Sequence, residues 1–315
     1  MPKTRKPRSG SLQFWPRVKA KKNYAVIGNW LTSSNPKPLA FAGYKVGMTH
    51  VQEAKPGKRS TEAMITTPVT VIECPPLKPL SLRFYKKTPY GTKVITEIFS
   101  NKLDKELGKK IVLPKKLEEK QVPEHYDVLK LVVYTQPKLT GIGKKKPEIF
   151  EIPLGGDLEY AKSLLNKEIR AEDVFKAGQM VDSHGITKGK GFQGPVKRFG
   201  VSLKQHKSEK KKRSAGNLGS FTPRKSNWRV AQHGQMGYHQ RSEYNKLIMS
   251  IGSDPSLINQ VGGFKHYGIV KNDYILVKGS LPGSSKRLVI LLESIRGTKP
   301  KTISEIKYIS RESKQ

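Results

Sequence analysis

Apolar and polar positions begin to alternate at Ala40. AFAGYKVGMTHV (40–51) and MITTPVTVIECPP (64–76) predict two strands joined by a polar, charged loop. Val69 and Val71 with their threonines hold a period of two, and Pro68 marks a strand start or an edge. LSLRFYKK (80–87) and TKVITEIF (92–99) flank TPYG, which predicts a hairpin with Gly91 in its turn. KELGKKIVLPKKLEEK (105–120) is mixed in charge, and the nearly continuous apolar run VLKLVVYTQP (128–137) suits a buried strand. GGDLEYAKSLLNKEI (155–169) predicts a helix, with Asp157 as N-cap and Leu158, Ala161 and Leu165 on one face. Strand character returns in VFKAGQMVDSHGIT (174–187) and in 263–295, where Tyr274–Lys278 and Leu288–Leu292 flank a Pro-Gly-Ser turn.

The expected fold is mainly β with an α+β insertion over 81–176. A β-barrel is assembled from the distant pieces 41–80, 177–186 and 262–296. Residues 1–40 form a basic N-terminal extension, 185–261 an extended basic finger, and 297–315 a mostly polar tail. No internal repeat is present.

The finger is where periodicity fails. Gly185 to Arg241 spans 57 residues with 14 Lys or Arg, nine Gly and one acid, Glu209. No apolar period of 3.6 or 2 persists there, and a water-solvated loop of such length is unusual inside a domain. Its charges need partners before the segment can be buried, and a folded polyanion supplies them. Charge over the whole chain agrees: 60 Lys or Arg against 25 Asp or Glu give +35 in 315 residues. Self-repulsion of that size calls for counter-charge, with nucleic acid the obvious source. The distribution is uneven, since 1–22 carries eight Lys or Arg and no acid, whereas 81–176 holds 20 bases and 14 acids. No apolar run approaches the ~20 residues of a membrane span, the basic N-terminus leads into no apolar signal core, and no lipidation motif is present. The single cysteine, Cys74, excludes an internal disulfide.

Several motifs invite other chemistry. GKGFQGPV (189–196) contains GxGxxG, but a dinucleotide site needs a strand before it and a helix after it, and here Pro195 follows the last glycine. The lysine and aspartates of a kinase are also missing. Glycines that let a cationic backbone approach phosphates are the simpler account. His206, His233 and His239 have no cysteine near them, so polar contacts are favoured over zinc. Cys74 reads as a buried, inert thiol. KKKR at 210–213 suits phosphate contacts better than an import signal. Phe221 lies midway along the finger, where Gly216, Gly219 and Pro223 predict a reversal, and an aromatic at a loop tip stacks on unpaired bases. Trp228 and Tyr238 either stack likewise or stiffen the finger's base. Phe14 and Trp15 read as anchors on the protein itself.

RSGSLQFWPRVKA, AFAGYKVGMTHV, HGITKGKGFQGPVKRFG, GQMGYHQRSEYNK and GFKHYGIVKNDYILVKGSLPGSSKR follow one another across almost the full chain. In these segments the chain resembles the third protein of the universal large-subunit ribosomal set (ribosomal protein L-three), in its archaeal or eukaryotic form. The resemblance implies a translation-protein-type β-barrel with the insert of the longer family form. It also implies a role early in subunit assembly, binding to large-subunit rRNA near its 3′ end, and a finger running toward the peptidyl-transferase centre. Expected partners are that rRNA and neighbouring large-subunit proteins, in the cytoplasm, with no cofactor, membrane or small-molecule substrate. Carried over by position, GNLGSF lies nearest the centre, with Lys210, Lys211, Lys212 and Arg213 in one arm and Arg224, Lys225 and Arg229 in the other. Relatives usually carry Trp where this chain has Phe221. The methylated His of some relatives matches Glu209, so that modification is not carried over.

The candidate rRNA contacts are therefore these. In the arm they are Arg5, Arg8 and Arg17. Where the finger begins they are Lys188, Lys190, Lys197 and Arg198, then Lys204 and Lys207, the 210–213 cluster, and Phe221 at the tip. On the return they are Arg224, Lys225, Trp228 and Arg229, followed by Tyr238, His239 and Arg241. The alternative is a non-ribosomal RNA-binding or RNA-modifying protein, for which no cofactor pocket or metal constellation is legible.

Overall fold

The computed structural model describes residues 8–33, 35–56, 62–114, 120–208, 210–297, 300–302 and 305–313. Arg5 and Glu209 lie outside the described residues. The chain divides into two compact units, one of 22–185 and 241–315, the other of 1–21 and 186–240.

The larger unit is mostly β. Strands β1 (Ala40–Pro56) and β2 (Glu62–Glu73) pair antiparallel from Tyr44↔Glu73 to Pro56↔Glu62. Pro68 sits inside β2, opposite His50, rather than at a strand start. It is tolerated because the ladder on the other side of β2 stops at Val69, so its missing N–H is not demanded there. The hairpin of β3 (Lys78–Thr88) and β4 (Gly91–Phe99) closes at Thr88↔Gly91, and β5 (Val128–Tyr134) and β6 (Ile149–Pro153) complete a sheet of order β4-β3-β5-β6. The helix predicted over 155–169 is shorter, α1 (Leu158–Leu164), followed by α2 (Ala171–Val174). Asp157 occupies the N-cap position without a side-chain cap bond, while Ala161 and Leu165 are buried as the pattern required.

The remaining strands of this unit come from distant places. They are β7 (Met180–Ile186), β10 (Gln240–Gly252), β11 (Tyr274–Lys278), β12 (Leu288–Glu293) and β13 (Ile306–Ile309), with β8 (Phe192–Gln193) and β9 (Gly234–Gln235) falling in the other unit. Their order is β12-β7-β10-β11-β2-β1-β13, and a further pairing of β1 with β12 returns the hydrogen-bonded series to its start. β1 achieves this by length: Ala40–Tyr44 pairs with β12, and Val51–Glu53 with β13. The flanks of the Pro-Gly-Ser turn are both strands, but they are not partners; β11 lies between β10 and β2, and β12 between β7 and β1.

Two elements depart from the reading. Residues 240–252, expected in the finger, are a sheet strand. The polar tail supplies β13. In addition, 263–273 is irregular apart from the bridge Phe264↔Gly268.

One hydrophobic cluster joins both sheets, from Phe41, Tyr44 and Val71 to Leu82, Phe84, Leu131 and Ile152. Each such side chain contributes roughly 1.5–3 kcal/mol when fully buried. The irregular 262–273 segment is held by a buried carboxylate. Glu73 accepts bonds from the Tyr267 hydroxyl, the Lys271 and Asn272 amides, and Asn272 Nδ2. At the far side of the sheet, Asp182 accepts from the Asn245 and Ile295 amides, and His184 Nδ1 meets the Ser242 hydroxyl at 2.8 Å. No helix among the described residues is long and apolar enough to cross a membrane.

Candidate nucleic-acid interface

The smaller unit carries seven Lys or Arg in 1–21 and 13 in 186–240, against one acid, Glu209. It has little regular structure. Its stem is a narrow antiparallel pair. The Thr187 amide donates to His239 O (2.9 Å), Tyr238 N to Lys188 O (3.2 Å), Lys190 N to Met236 O (3.0 Å) and Met236 N to Gly191 O (2.9 Å). β8 (Phe192–Gln193) and β9 (Gly234–Gln235) continue it. Gly237, at φ +71°, permits the approach: a Cβ there would collide with the Lys188 carbonyl. After β8 comes one five-residue helix, α3 (Pro195–Phe199), which Pro195 starts and left-handed Gly200 ends. GKGFQGPV thus leads through a two-residue strand into a single short turn of helix, unlike the strand–loop–helix of a nucleotide fold.

The N-terminal arm packs on this stem. Trp15 stacks on Phe199 with centroids 5.5 Å apart and planes 17° from parallel, and meets Trp228 edge-on, also at 5.5 Å. Arg17 lies over the Phe199 ring at 4.4 Å and donates to Arg198 O at 2.9 Å. The Ala20 amide donates to Tyr238 O at 2.8 Å, and His239 Nδ1 meets Val18 O at 2.8 Å. Arg8 donates to Arg229 O. The anchoring read for Trp15 is what the structure shows. Trp228 takes part in the same cluster while keeping a 57% exposed surface.

The sequence candidates therefore separate by environment. Arg198 is half-buried, donating to the Gln235 and Gln232 carbonyls at 2.9 and 3.0 Å. Burial, with Arg17 nearby as a second cause, holds its pKa below the ordinary arginine value, and burial does the same for Arg17. His239 is buried, Tyr238 is half-buried at φ +55°, and Arg241 is half-buried within β10. Arg198, Tyr238 and His239 bond to other parts of the smaller unit. By contrast, Lys188, Lys190, Lys197, Lys204 and Lys207 are exposed, as are Lys210, Lys211, Lys212 and Arg213, and Arg224, Lys225 and Arg229. The ion pairs found among the described residues lie elsewhere, from Lys37–Glu293 to Lys246–Glu243, and none uses a cation of this unit.

The tip is built from local bonds. The Gly219 amide donates to Asn217 Oδ1 (2.9 Å), Ser220 Oγ to Thr222 O (2.8 Å) and Lys225 N to Pro223 O (2.7 Å). Phe221 stays 75% exposed, with the Arg224 guanidinium 4.5 Å from its ring centroid. A planar cation on an exposed ring makes a surface on which a base can stack. Among the described residues no three His, Cys, Asp or Glu side chains gather as metal ligands would.

A family model described as Ribosomal protein L3 matches residues 1–315. The chain is 47% identical to Large ribosomal subunit protein uL3 of Methanobrevibacter smithii, with 98% of each chain covered. It is 46% identical to the protein of that name from Methanosphaera stadtmanae, over 100% of this chain and 99% of the relative. Against the one from Methanothermobacter thermautotrophicus it is 42% identical, again over 100% and 99%.

Proposed function

Because the chain belongs to the ribosomal protein L3 family, we propose that it is a constituent of an archaeal-type large ribosomal subunit in the cytoplasm whose smaller unit binds large-subunit rRNA directly. The seven-stranded sheet is its translation-protein-type β-barrel. The segment 200–233 is the part of the finger that enters folded RNA near the 3′ end and runs toward the peptidyl-transferase centre, supporting early assembly. The observation that carries this reading is charge without internal compensation. Twelve of the 13 Lys and Arg of 186–240 are exposed, and none of the 13 is in an ion pair among the described residues. Phosphates supply the missing counter-charge, and RNA shape rather than a short sequence sets the fit.

The two parts of the smaller unit have different tasks in this scheme. The stem and arm, joined by Trp15, Phe199, Arg17 and Arg198, give the finger a defined root. The exposed lysines neutralise phosphates, and Phe221 with Arg224 offers a stacking face at the turn. Mapping large-subunit rRNA positions cross-linked to residues 204–229 in assembled subunits tests the proposal. Cross-links confined to a few contiguous rRNA helices including the catalytic region are expected. Cross-links to protein alone would overturn it.

A further inference from the structure

In the sheet β4-β3-β5-β6, β4 is an outer strand, and no strand among the described residues pairs with its far side. Its sequence, GTKVITEIF, is rich in β-branched residues. Residues 91–95 are exposed and 96–99 half-buried. Protein edges are usually blunted by charge, proline or bulges. This one has a bulge at Ile95, where Phe84 faces Thr96 but Tyr85 faces Val94, and one lysine, Lys93, in its exposed half. Its acid, Glu97, is already engaged by Ser81 and Arg83.

Past the bulge the strand borders a half-apolar groove with a volume of about 430 Å³, whose uncharged polar lining is Ser100, Asn101, Gln121 and Asn166. Leu82 and Phe84 of β3 and Ile98 and Phe99 of β4 line it, together with Val122 and Leu165. The charged groups on its lining are Lys120 and Lys162, neither in an ion pair among the described residues.

We propose that β4 and this groove form a docking site for an extended segment of another protein, which adds as a fifth strand, with apolar side chains at alternate positions and carboxylates at its flank. Three features select that occupant. Unpaired backbone donors and acceptors along an edge are satisfied by a chain in β conformation. Side chains alternate between faces, so every second residue of an added strand is directed to the groove face, where Leu82, Phe84 and Ile98 already lie. Lys120 and Lys162, the charged groups on the lining among the described residues, favour acids over bases. The site lies outside 186–240, so the proposal does not depend on the reading of the finger.

The test uses the full chain and short labelled peptides that share one alternating Val/Thr core. One is flanked by Glu, one by Lys, and one is Glu-flanked with prolines interrupting the core. Hydrogen exchange of residues 91–99 and fluorescence anisotropy are read in moderate salt. The Glu-flanked peptide is expected to slow exchange across 91–99 and to bind roughly tenfold tighter than either of the others. The double variant Lys120→Glu, Lys162→Glu is expected to reverse the preference between the two uninterrupted peptides. Unchanged exchange at 91–99 overturns the proposal. So does equal binding of the proline-interrupted peptide, which would mean attraction to cations elsewhere on the chain. Equal protection of 91–99 by a uridine oligonucleotide would assign the edge to RNA instead. The peptide series on the unaltered chain decides the matter even should the double variant fail to fold.

Discussion

Replacing Lys210, Lys211, Lys212 and Arg213 together by alanine removes four exposed cations that are in no ion pair among the described residues. Among the described residues their loss therefore leaves no acid unpaired, and the fold of the protein should be unaffected. If all four meet phosphates, the slope of log K against log salt should fall in magnitude by about 3, from 0.7–0.9 per neutralised phosphate. Extrapolated from 1 M salt, where counterion release contributes nothing, this weakens binding by roughly three orders of magnitude at 0.1 M and about eightfold at 0.5 M. The loss at 0.1 M corresponds to about 4 kcal/mol. Filter binding to the large-subunit rRNA across that salt range gives both quantities. An unchanged slope would show that these side chains do not touch phosphate. A loss of equal size at every salt concentration would point to a conformational effect instead.

Phe221→Ala should leave incorporation into subunits nearly intact, since the ring is largely exposed beside Arg224, but should alter peptidyl transfer or tRNA handling; reconstituted subunits matching the parent in both would remove any role for the tip. Trp15→Ala removes the stack on Phe199 and the edge contact with Trp228, about 0.5–1.5 kcal/mol each beyond the lost burial, so limited proteolysis of the free protein should cut within 195–230 faster. Glu73→Ala strands four donors around 267–272 and should cost about 3–5 kcal/mol, read as a lower urea midpoint with an unchanged slope. Burial lowers the pKa of His184, and Asp182 opposes this only in part. The folded state thus holds the neutral ring, while the unfolded chain takes up a proton near the ordinary histidine value of about 6.5. Stability from this source is complete above that value and is lost as pH falls below it. His184→Asn should therefore flatten the decline in unfolding free energy between neutral pH and pH 5, and an unflattened profile would refute the assignment.

Much of the finger was legible because its signals are local. Fourteen cations, nine glycines and one acid in 57 residues declare a segment without a core, whatever surrounds it. The strands β1, β2, β3, β4 and β5 were also legible, since alternation or a continuous apolar run is a property of neighbouring residues. β10 escaped notice for a specific reason. Its first residues alternate exposed and half-buried, but the half-buried positions are Arg241 and Glu243, so the alternation carries no hydrophobic signal. β13 is four residues long and gains its place by pairing with β1.

Which cations face water could not be read from residue type. Arg198 and Lys197 are adjacent and equally basic, yet the first is spent on the Gln232 and Gln235 carbonyls and the second is exposed. That division depends on contacts such as Trp15 on Phe199, between residues far apart in the chain. The same holds for the return of the sheet on itself through Ala40↔Leu292. Sequence alone thus determined the composition of the cationic segment, the local strand pattern and the family. Tertiary structure decided the strand order, the arm's grip on the stem and which cations are half-buried rather than exposed. Pairing and burial are set by partners hundreds of residues away, and local periodicity holds no record of them.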